Sequence, residues 1–250
     1  MPIFTSDGID LRYIDEGEGD PILLVHGFAS NIEVNWGGTG WVKTLVDDGR
    51  RVIAFDHRGH GQSAKLYDPE QYTLHHMADD AQALLDRLSL PRVDLIGYSM
   101  GARVSALFAI LHPERVRSLV IGGMGARLLT MSSNWEAIAK ALEAPSADAV
   151  PDAYARDFRV FADRTKGDLR ALAACMRASR TALGPDLLAQ IACPTLVAVG
   201  TEDVVAGSPY DLAKHISGAE VLSIPGRDHN RAVGDPRFKD GVLAFLAGRA

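Results

Sequence analysis

Apolar runs of four to six residues recur along the chain, and nearly all of them stop at a glycine or a polar residue. Pro21-Ile22-Leu23-Leu24-Val25 stops at His26-Gly27-Phe28, and Arg51-Val52-Ile53-Ala54-Phe55 stops at Asp56. Val93 to Ile96 stops at Gly97, Val116 to Ile121 at Gly122-Gly123, Thr195 to Val199 at Gly200, and Ala219 to Ile224 at Pro225-Gly226. Runs without polar alternation predict strands buried on both faces, as in a parallel sheet. The beginning differs. Ile3-Phe4-Thr5 and Ile9 to Ile14 flank Asp7-Gly8, which predicts an antiparallel hairpin.

Helical spacing fills the gaps between the strands. Leu74, Met77, Ala81, Leu84, Leu85 and Leu88 recur every three or four residues, the stripe of an amphipathic helix. Ala102 to Leu111 is almost wholly apolar and predicts a helix packed directly on the sheet; Pro209 to Ile216 and Arg237 to Leu246 are further helices. Strand and helix alternating in this way predict an α/β fold, a mostly parallel central sheet with helices on both faces.

One stretch breaks the alternation. About seventy residues between Ile121 and Thr195 carry no strand signal, but they do carry helix-forming segments: Trp135 to Leu142, Ala153 to Phe161 and Leu169 to Arg180. Breaks fall at Pro145, Pro151, Gly167 and Gly184-Pro185. A structureless loop of that length is uncommon in a compact domain. The expectation is a helical cap at residues 124–190, inserted after the sixth strand of a core made of residues 1–123 and 191–250. Its apolar members Leu128, Leu129, Met131, Trp135, Phe158 and Phe161 exceed what a solvated cover needs. Leu128, Trp135 and Phe158 are therefore expected to line a substrate pocket. The cap arginines Arg127, Arg156 and Arg159 are expected on a solvated face.

Ligands of open α/β sheets sit beyond the carboxyl ends of the strands, so the chemistry is sought there. After the strand at Val93 stands Gly97-Tyr98-Ser99-Met100-Gly101, followed at once by a helix-forming run. A serine between glycines two before and two after it, at a strand-to-helix turn, forms a nucleophile elbow. The turn holds the serine strained and directs the helix's first amides, Met100 among them, at the space above it. A serine hydroxyl needs a base, and the base needs an acid to orient it. Downstream lie His112, before Pro113 at a helix end, His215, within a helix pattern, and His229, on a loop after the last strand. Position selects His229 as the base. The acid is expected after the preceding strand, where Asp203 has Glu202 as its rival. His26 and Asp56 are expected to hold loops, and Trp36 and Trp41, beside Gly37, Gly38 and Gly40, are candidates for packing or for lining a pocket.

Together these residues resemble the α/β-hydrolase superfamily, from about Ile9 to the end of the chain. The resemblance rests on His26-Gly27-Phe28, the run Asp56-His57-Arg58-Gly59-His60-Gly61-Gln62-Ser63, the Ser99 elbow, Gly200-Thr201-Glu202-Asp203 and Gly226-Arg227-Asp228-His229. It implies a triad of Ser99, Asp203 and His229, oxyanion amides from Phe28 and Met100, and a helical cap. It further implies a serine hydrolase of esters or related acyl compounds, working through an acyl-enzyme. Two rival activities keep the same triad: hydrolysis of a carbon–carbon bond in a vinylogous diketone, and peracid formation. A rival of another class is a non-catalytic small-molecule binder on the same fold. Serine at the elbow separates the chain from superfamily members that use aspartate there.

Composition narrows the partners. A formal charge of −6 and a pI near 5.7 disfavour a nucleic-acid partner. No apolar run approaches the roughly 20 residues needed to span a bilayer, and MPIFTSDGID has neither the basic nor the apolar region of a secretory signal. Cys175 and Cys193 form no CxxC pair, and no His/Asp cluster has metal-ligand spacing. The expectation is a cytoplasmic protein that acts on a small-molecule acyl substrate and needs no cofactor or metal. The oligomeric state is left open.

Overall fold

The computed structural model describes residues 2–130, 134–178 and 182–248. Two positions named above, Met131 and Arg180, lie outside them. Strands β1 (Ile3–Ser6), β2 (Ile9–Glu16), β3 (Asp20–Val25), β4 (Arg50–Phe55), β5 (Val93–Tyr98), β6 (Val116–Gly122), β7 (Thr195–Gly200) and β8 (Glu220–Ile224) form one sheet. Their spatial order is β1-β2-β4-β3-β5-β6-β7-β8. The β1/β2 hairpin and the β2/β4 pair are antiparallel, and every pairing from β4 through β3 to β8 is parallel. β3 therefore separates β4 on one side from β5 on the other, and the order of strands reverses there. Val25, the last residue of β3, pairs with Gly97, so the His26 loop and the Ser99 turn leave the sheet side by side.

The helices are α1 (Trp41–Asp47), α2 (Leu74–Arg87), α3 (Met100–Leu111), α4 (Trp135–Glu143), α5 (Ala153–Arg164), α6 (Leu169–Arg177), α7 (Pro185–Leu188), α8 (Pro209–Ala213), α9 (His229–Ala232) and α10 (Pro236–Ala247). Two apolar cores follow from the two faces of the sheet. Alternate strand residues such as Leu23, Ile53 and Leu95 face α2 and α3, while Ile22, Leu24, Val52 and Ile96 face α1 and α10. Trp36 and Trp41 are fully buried in the second core with Phe238, which decides their role as packing. Among the described residues, no helix is long and apolar enough to cross a membrane.

The stretch after β6 is helical where it is described. α4 packs on α5 and α6 through Ile138, Ala139 and Leu142, and these residues continue the core on the α2/α3 side of the sheet. Arg159 departs from the expectation of a solvated face. It is 5% exposed, and its guanidinium donates to the carbonyls of Ala141, Leu142 and Ala144. The last carbonyls of a helix have no intrahelical partner, and here a buried cation from α5 takes up those at the end of α4. Arg103, on α3, does the same for the start of the stretch, donating to the carbonyls of Arg127 and Leu128 at 2.7 and 3.2 Å.

Candidate active site

The turn between β5 and α3 brings the first reactive group forward. Ser99 has φ +55° and ψ −114°, a conformation that costs a non-glycine residue on the order of 1–3 kcal/mol. Its neighbours explain the glycines. A Cβ on Gly97 would sit within 2.6 Å of the Ala102 Cα, and a Cβ on Gly101 would press into the carbonyl oxygens of Val25 and His26. Helix α3 thus begins in direct contact with the end of β3. Ser99 occupies the N-cap of α3 yet makes no side-chain cap bond. Its hydroxyl goes elsewhere.

Ser99 Oγ lies 3.0 Å from His229 Nε2, and His229 Nδ1 lies 2.7 Å from Asp203 Oδ2. A carboxylate only accepts, so Nδ1 carries the proton, and in the neutral ring Nε2 accepts from the serine hydroxyl. The Asp203 side chain is fully buried and that of His229 is 19% exposed. The other oxygen of Asp203 accepts from the main-chain N–H groups of Val205 and Ala206, both at 2.9 Å, which fixes the carboxylate plane. Glu202 is exposed, and its main-chain N–H donates to the Arg227 carbonyl. The carboxylate that meets His229 is that of Asp203. Asp228 accepts from the main-chain N–H groups of Asn230 and Arg231, capping α9.

The His26-Gly27-Phe28 segment runs past the serine: a Cβ on Gly27 would lie 3.3 Å from Ser99 Cβ. Buried Asn35 holds this segment through a 3.0 Å bond from Gly27 N–H. His26 works as a brace. Its Nε2 accepts from His57 N–H at 3.0 Å and its Nδ1 donates to the Gly27 carbonyl at 2.8 Å. Burial drives its pKa down to about 4, opposed by the Gly27 hydrogen bond. Asp56 ties two loops by accepting from Ile32 and Gln62 N–H at 2.8 and 2.7 Å, and desolvation raises its carboxyl above the ordinary range.

A cavity of about 440 Å³ opens over Ser99 and His229, room for roughly 15 water-sized groups. Phe28, Val34, Val204, Val205 and Val233 supply its apolar wall, and Asp157, Arg164, Glu202 and Asp228 its charged rim. α5 contributes Tyr154, Asp157, Phe158, Phe161 and Arg164. Phe158 packs against Phe28 with ring centroids 6.2 Å apart, and against Tyr154 at 5.3 Å.

Of the three pocket residues expected from the sequence, Phe158 lines the cavity and two do not. Leu128, the buried residue of the short turn Ala126–Leu129, is packed in the core. Trp135, 36% exposed, is the first residue of α4, whose buried residues are Ile138, Ala139, Ala141 and Leu142. Both were selected for apolarity alone, which does not distinguish a pocket wall from a helix seam. Phe161, one of the apolar members named from the sequence, also lines the cavity, together with Tyr154 and Arg164, for which the sequence reading held no such expectation. Their spacing with Phe158 is the signal: 154, 158, 161 and 164 form one stripe of α5, opposite the buried Ala155, Arg159 and Ala162. Among the described residues, no group of three or more His, Cys, Asp or Glu could hold a metal ion.

Comparison with known proteins adds the family. A profile described as alpha/beta hydrolase fold matches residues 20–144. Non-heme chloroperoxidase CPO-A1 of Kitasatospora aureofaciens is 39% identical over 126 residues, covering 48% of this chain and 43% of that protein. Curated relatives of this kind are matched over half their own length or less. Solved structures align along nearly the whole chain. The enol-lactonase from Burkholderia xenovorans LB400 superposes with a TM-score of 0.80 and 25% identity, covering 98% of this chain and all of that one. Est816, described as an N-acyl homoserine lactone degrading enzyme, gives a TM-score of 0.76 and 28% identity over 99% of both chains.

Proposed function

The chain belongs to the alpha/beta hydrolase fold family, and from that premise we propose that it is a serine hydrolase that cleaves a small carboxylic ester or lactone through an acyl-enzyme. The observation that carries the reading is the continuous hydrogen-bonded path from Ser99 Oγ through His229 to Asp203, at 3.0 and 2.7 Å.

The steps follow from that path. Ser99 Oγ attacks the carbonyl carbon while His229 Nε2 takes its proton. The imidazolium forms beside the buried carboxylate of Asp203, which is held by two amides and stabilises the charge without accepting the proton. The amides of Met100, first in α3, and of Phe28, beside Ser99, receive the oxyanion. One such donor is worth about 3 kcal/mol, on the order of a hundredfold in rate. Collapse of the tetrahedral species breaks the carbon–oxygen bond, and His229 returns the proton to the leaving alcohol. Water, deprotonated by the same His229, then attacks the acyl-enzyme and releases the acid. In a lactone, alcohol and acid stay joined in one product. No step calls for a metal or a cofactor.

In this reading residues 124–190 form a cap whose α5 face closes the acyl pocket. The 440 Å³ volume suits a substrate of modest size with an apolar acyl part, since pockets of about 300–1,000 Å³ enclose small ligands. Two lactone-acting neighbours of near full coverage support the ester or lactone class. The likeness to a non-heme chloroperoxidase supports a second reading, in which hydrogen peroxide replaces water in attacking the acyl-enzyme and a peracid leaves.

The test is a panel of aryl esters and lactones of graded chain length, with the parent protein and Ser99→Ala, followed by fluorophosphonate labelling. Turnover and a Ser99 adduct in the parent, both lost in Ser99→Ala, are expected. A folded parent that neither turns over nor labels would identify a binding protein instead. Peracid formation with acetate and hydrogen peroxide, exceeding ester turnover, would select the second reading.

A further inference from the structure

Two features at the strand ends have no part in the chemistry above: Gly122-Gly123 at the end of β6, and Tyr98 inside the elbow itself. They meet at His229. Tyr98 is 4% exposed, and its hydroxyl donates to the main-chain carbonyl of His229 at 2.6 Å. The two rings lie 5.6 Å apart, tilted by 44°. The tyrosine fits only because the neighbouring strand carries no side chains at its end. A Cβ on Gly122 would lie 2.9 Å from Tyr98 Cδ2, and one on Gly123 would lie 2.6 Å from its Cζ. Gly123 also has φ +58°, so both requirements exclude a larger residue.

We propose that Tyr98 is a positioning residue that holds the backbone of His229 in register with Ser99. This proposal rests on the serine-hydrolase reading. Tyr98 precedes Ser99 in sequence, so one rigid side chain connects the peptide bearing the nucleophile to the peptide bearing the base. His229 stands at the start of the four-residue α9, five residues beyond the end of β8, and no sheet pairing fixes it. The imidazole bonds to Asp203 and Ser99 orient the ring, and the Tyr98 bond fixes the carbonyl on the other side of the same residue. A displacement of about 1 Å at a reacting pair can cost on the order of a hundredfold in rate. Burial, reinforced by the nearby charges of Asp203 and Asp228, keeps the phenol well above its ordinary pKa, so it remains a donor wherever the enzyme works.

The experiment compares the parent, Tyr98→Phe, Gly122→Ala, Phe238→Leu and Ser99→Ala on one ester, well below each thermal midpoint. Tyr98→Phe keeps the ring and removes only the donor. Its kcat is expected to fall on the order of tenfold with KM within twofold, and the rate of fluorophosphonate labelling at Ser99 should fall in proportion. A purely structural role would lower the midpoint but leave both rates intact. Gly122→Ala places a methyl 2.9 Å from both Tyr98 Cδ2 and Phe238 Cζ, so its kcat loss counts for the proposal only beside a Phe238→Leu control that keeps full kcat; that pair carries the test if Tyr98→Phe does not fold. An unchanged kcat in Tyr98→Phe, or a rise in KM alone, overturns the positioning role. Turnover that persists in Ser99→Ala overturns the serine-hydrolase reading itself, and the proposal with it. An inactive Ser99→Ala beside a fully active Tyr98→Phe rejects only the positioning role.

Discussion

Consider the folded protein moved from pH 7.5 to pH 5.0. His26, His57 and His60 are each almost wholly buried and lie in one cluster, with His26 4.7 Å from His57 and 5.4 Å from His60 between ring centroids. Desolvation is the leading cause that lowers all three pKa values: His26 to about 4, His60 to about 3, and His57 well below its ordinary 6.5. In the unfolded chain each titrates near 6.5. The folded values are depressed, so the stability these residues contribute is complete above pH 6.5 and is lost as pH falls towards the folded values. At pH 5.0 an unfolded histidine gains about 2 kcal/mol from protonation while its folded counterpart stays mostly neutral. Three of them remove about 6 kcal/mol. That figure rests on the unfolded value, since burial holds each folded value well beneath it. Against a total stability of about 5–15 kcal/mol, a loss of that size removes at least about two-fifths of the margin at pH 5.0. Asp56, whose carboxyl is raised by burial, acts in the opposite sense at lower pH, so a single-site control is needed. His57→Leu provides it. Among the described residues, neither ring nitrogen of His57 has a hydrogen-bond partner, and its main-chain bond to His26 survives the substitution. The variant should be no less stable at pH 7.5 and should lose about 4 kcal/mol instead of about 6 on acidification. Urea unfolding at both pH values, followed by tryptophan fluorescence, measures this directly. A parent loss below about 2 kcal/mol, or an identical loss in parent and variant, would refute the reasoning.

Two further outcomes concern the site. Asp203→Asn should lower kcat by about four orders of magnitude, the scale for an acid whose loss leaves the wrong histidine tautomer, while Glu202→Gln stays within a few-fold; steady-state rates on one ester decide, and equal losses would separate the acid role from the 2.7 Å contact. Phe158→Ala should change kcat/KM most for the longest acyl chains, by about 0.8 kcal/mol or fourfold per methylene that loses its contact, whereas Trp135→Ala should leave every ester within twofold; a uniform loss across chain lengths in Phe158→Ala would assign it to holding α5 in place.

The sheet was legible because its signal is local and redundant. Each parallel strand is an unbroken apolar run ended by glycine or a polar residue, and β3 to β8 lie within two residues of the runs that predict them. The candidate site was legible for a related reason: its residues sit at strand ends, where the chain offers few polar groups to choose among. Asp203 is the acid expected from the sequence, with Glu202 as its rival, and it is Asp203 Oδ2 that lies 2.7 Å from His229 Nδ1; position alone left the rival open. Adjacent residues leave a strand on opposite sides, and the chain alone does not say which side faces His229. Short elements escaped too. α1 and α9 have 7 and 4 residues, too few for an apolar period to emerge. Tertiary contacts hold α1 in place, through Trp41 packed on Phe238 with ring centroids 5.0 Å apart.

The helical stretch after β6 was the part least legible in the sequence, and the reason is physical. A helix such as α5 must satisfy two apolar surfaces, one towards its neighbouring helices and one towards the cavity, so composition alone assigns its residues to neither. α5 resolves this by division of labour. Ala155 and Ala162 are small enough to let α4 approach, and Arg159 between them reaches the carbonyls at the end of α4. The larger Tyr154, Phe158 and Phe161 fall on the cavity side. Size partition within a helix is therefore a better guide than apolarity: small residues and a carbonyl-binding arginine mark the seam, and aromatic residues three or four apart mark the pocket. Trp135 stands outside that rule as the first residue of α4. At 36% exposure it covers the end of a helix and stays away from the chemistry.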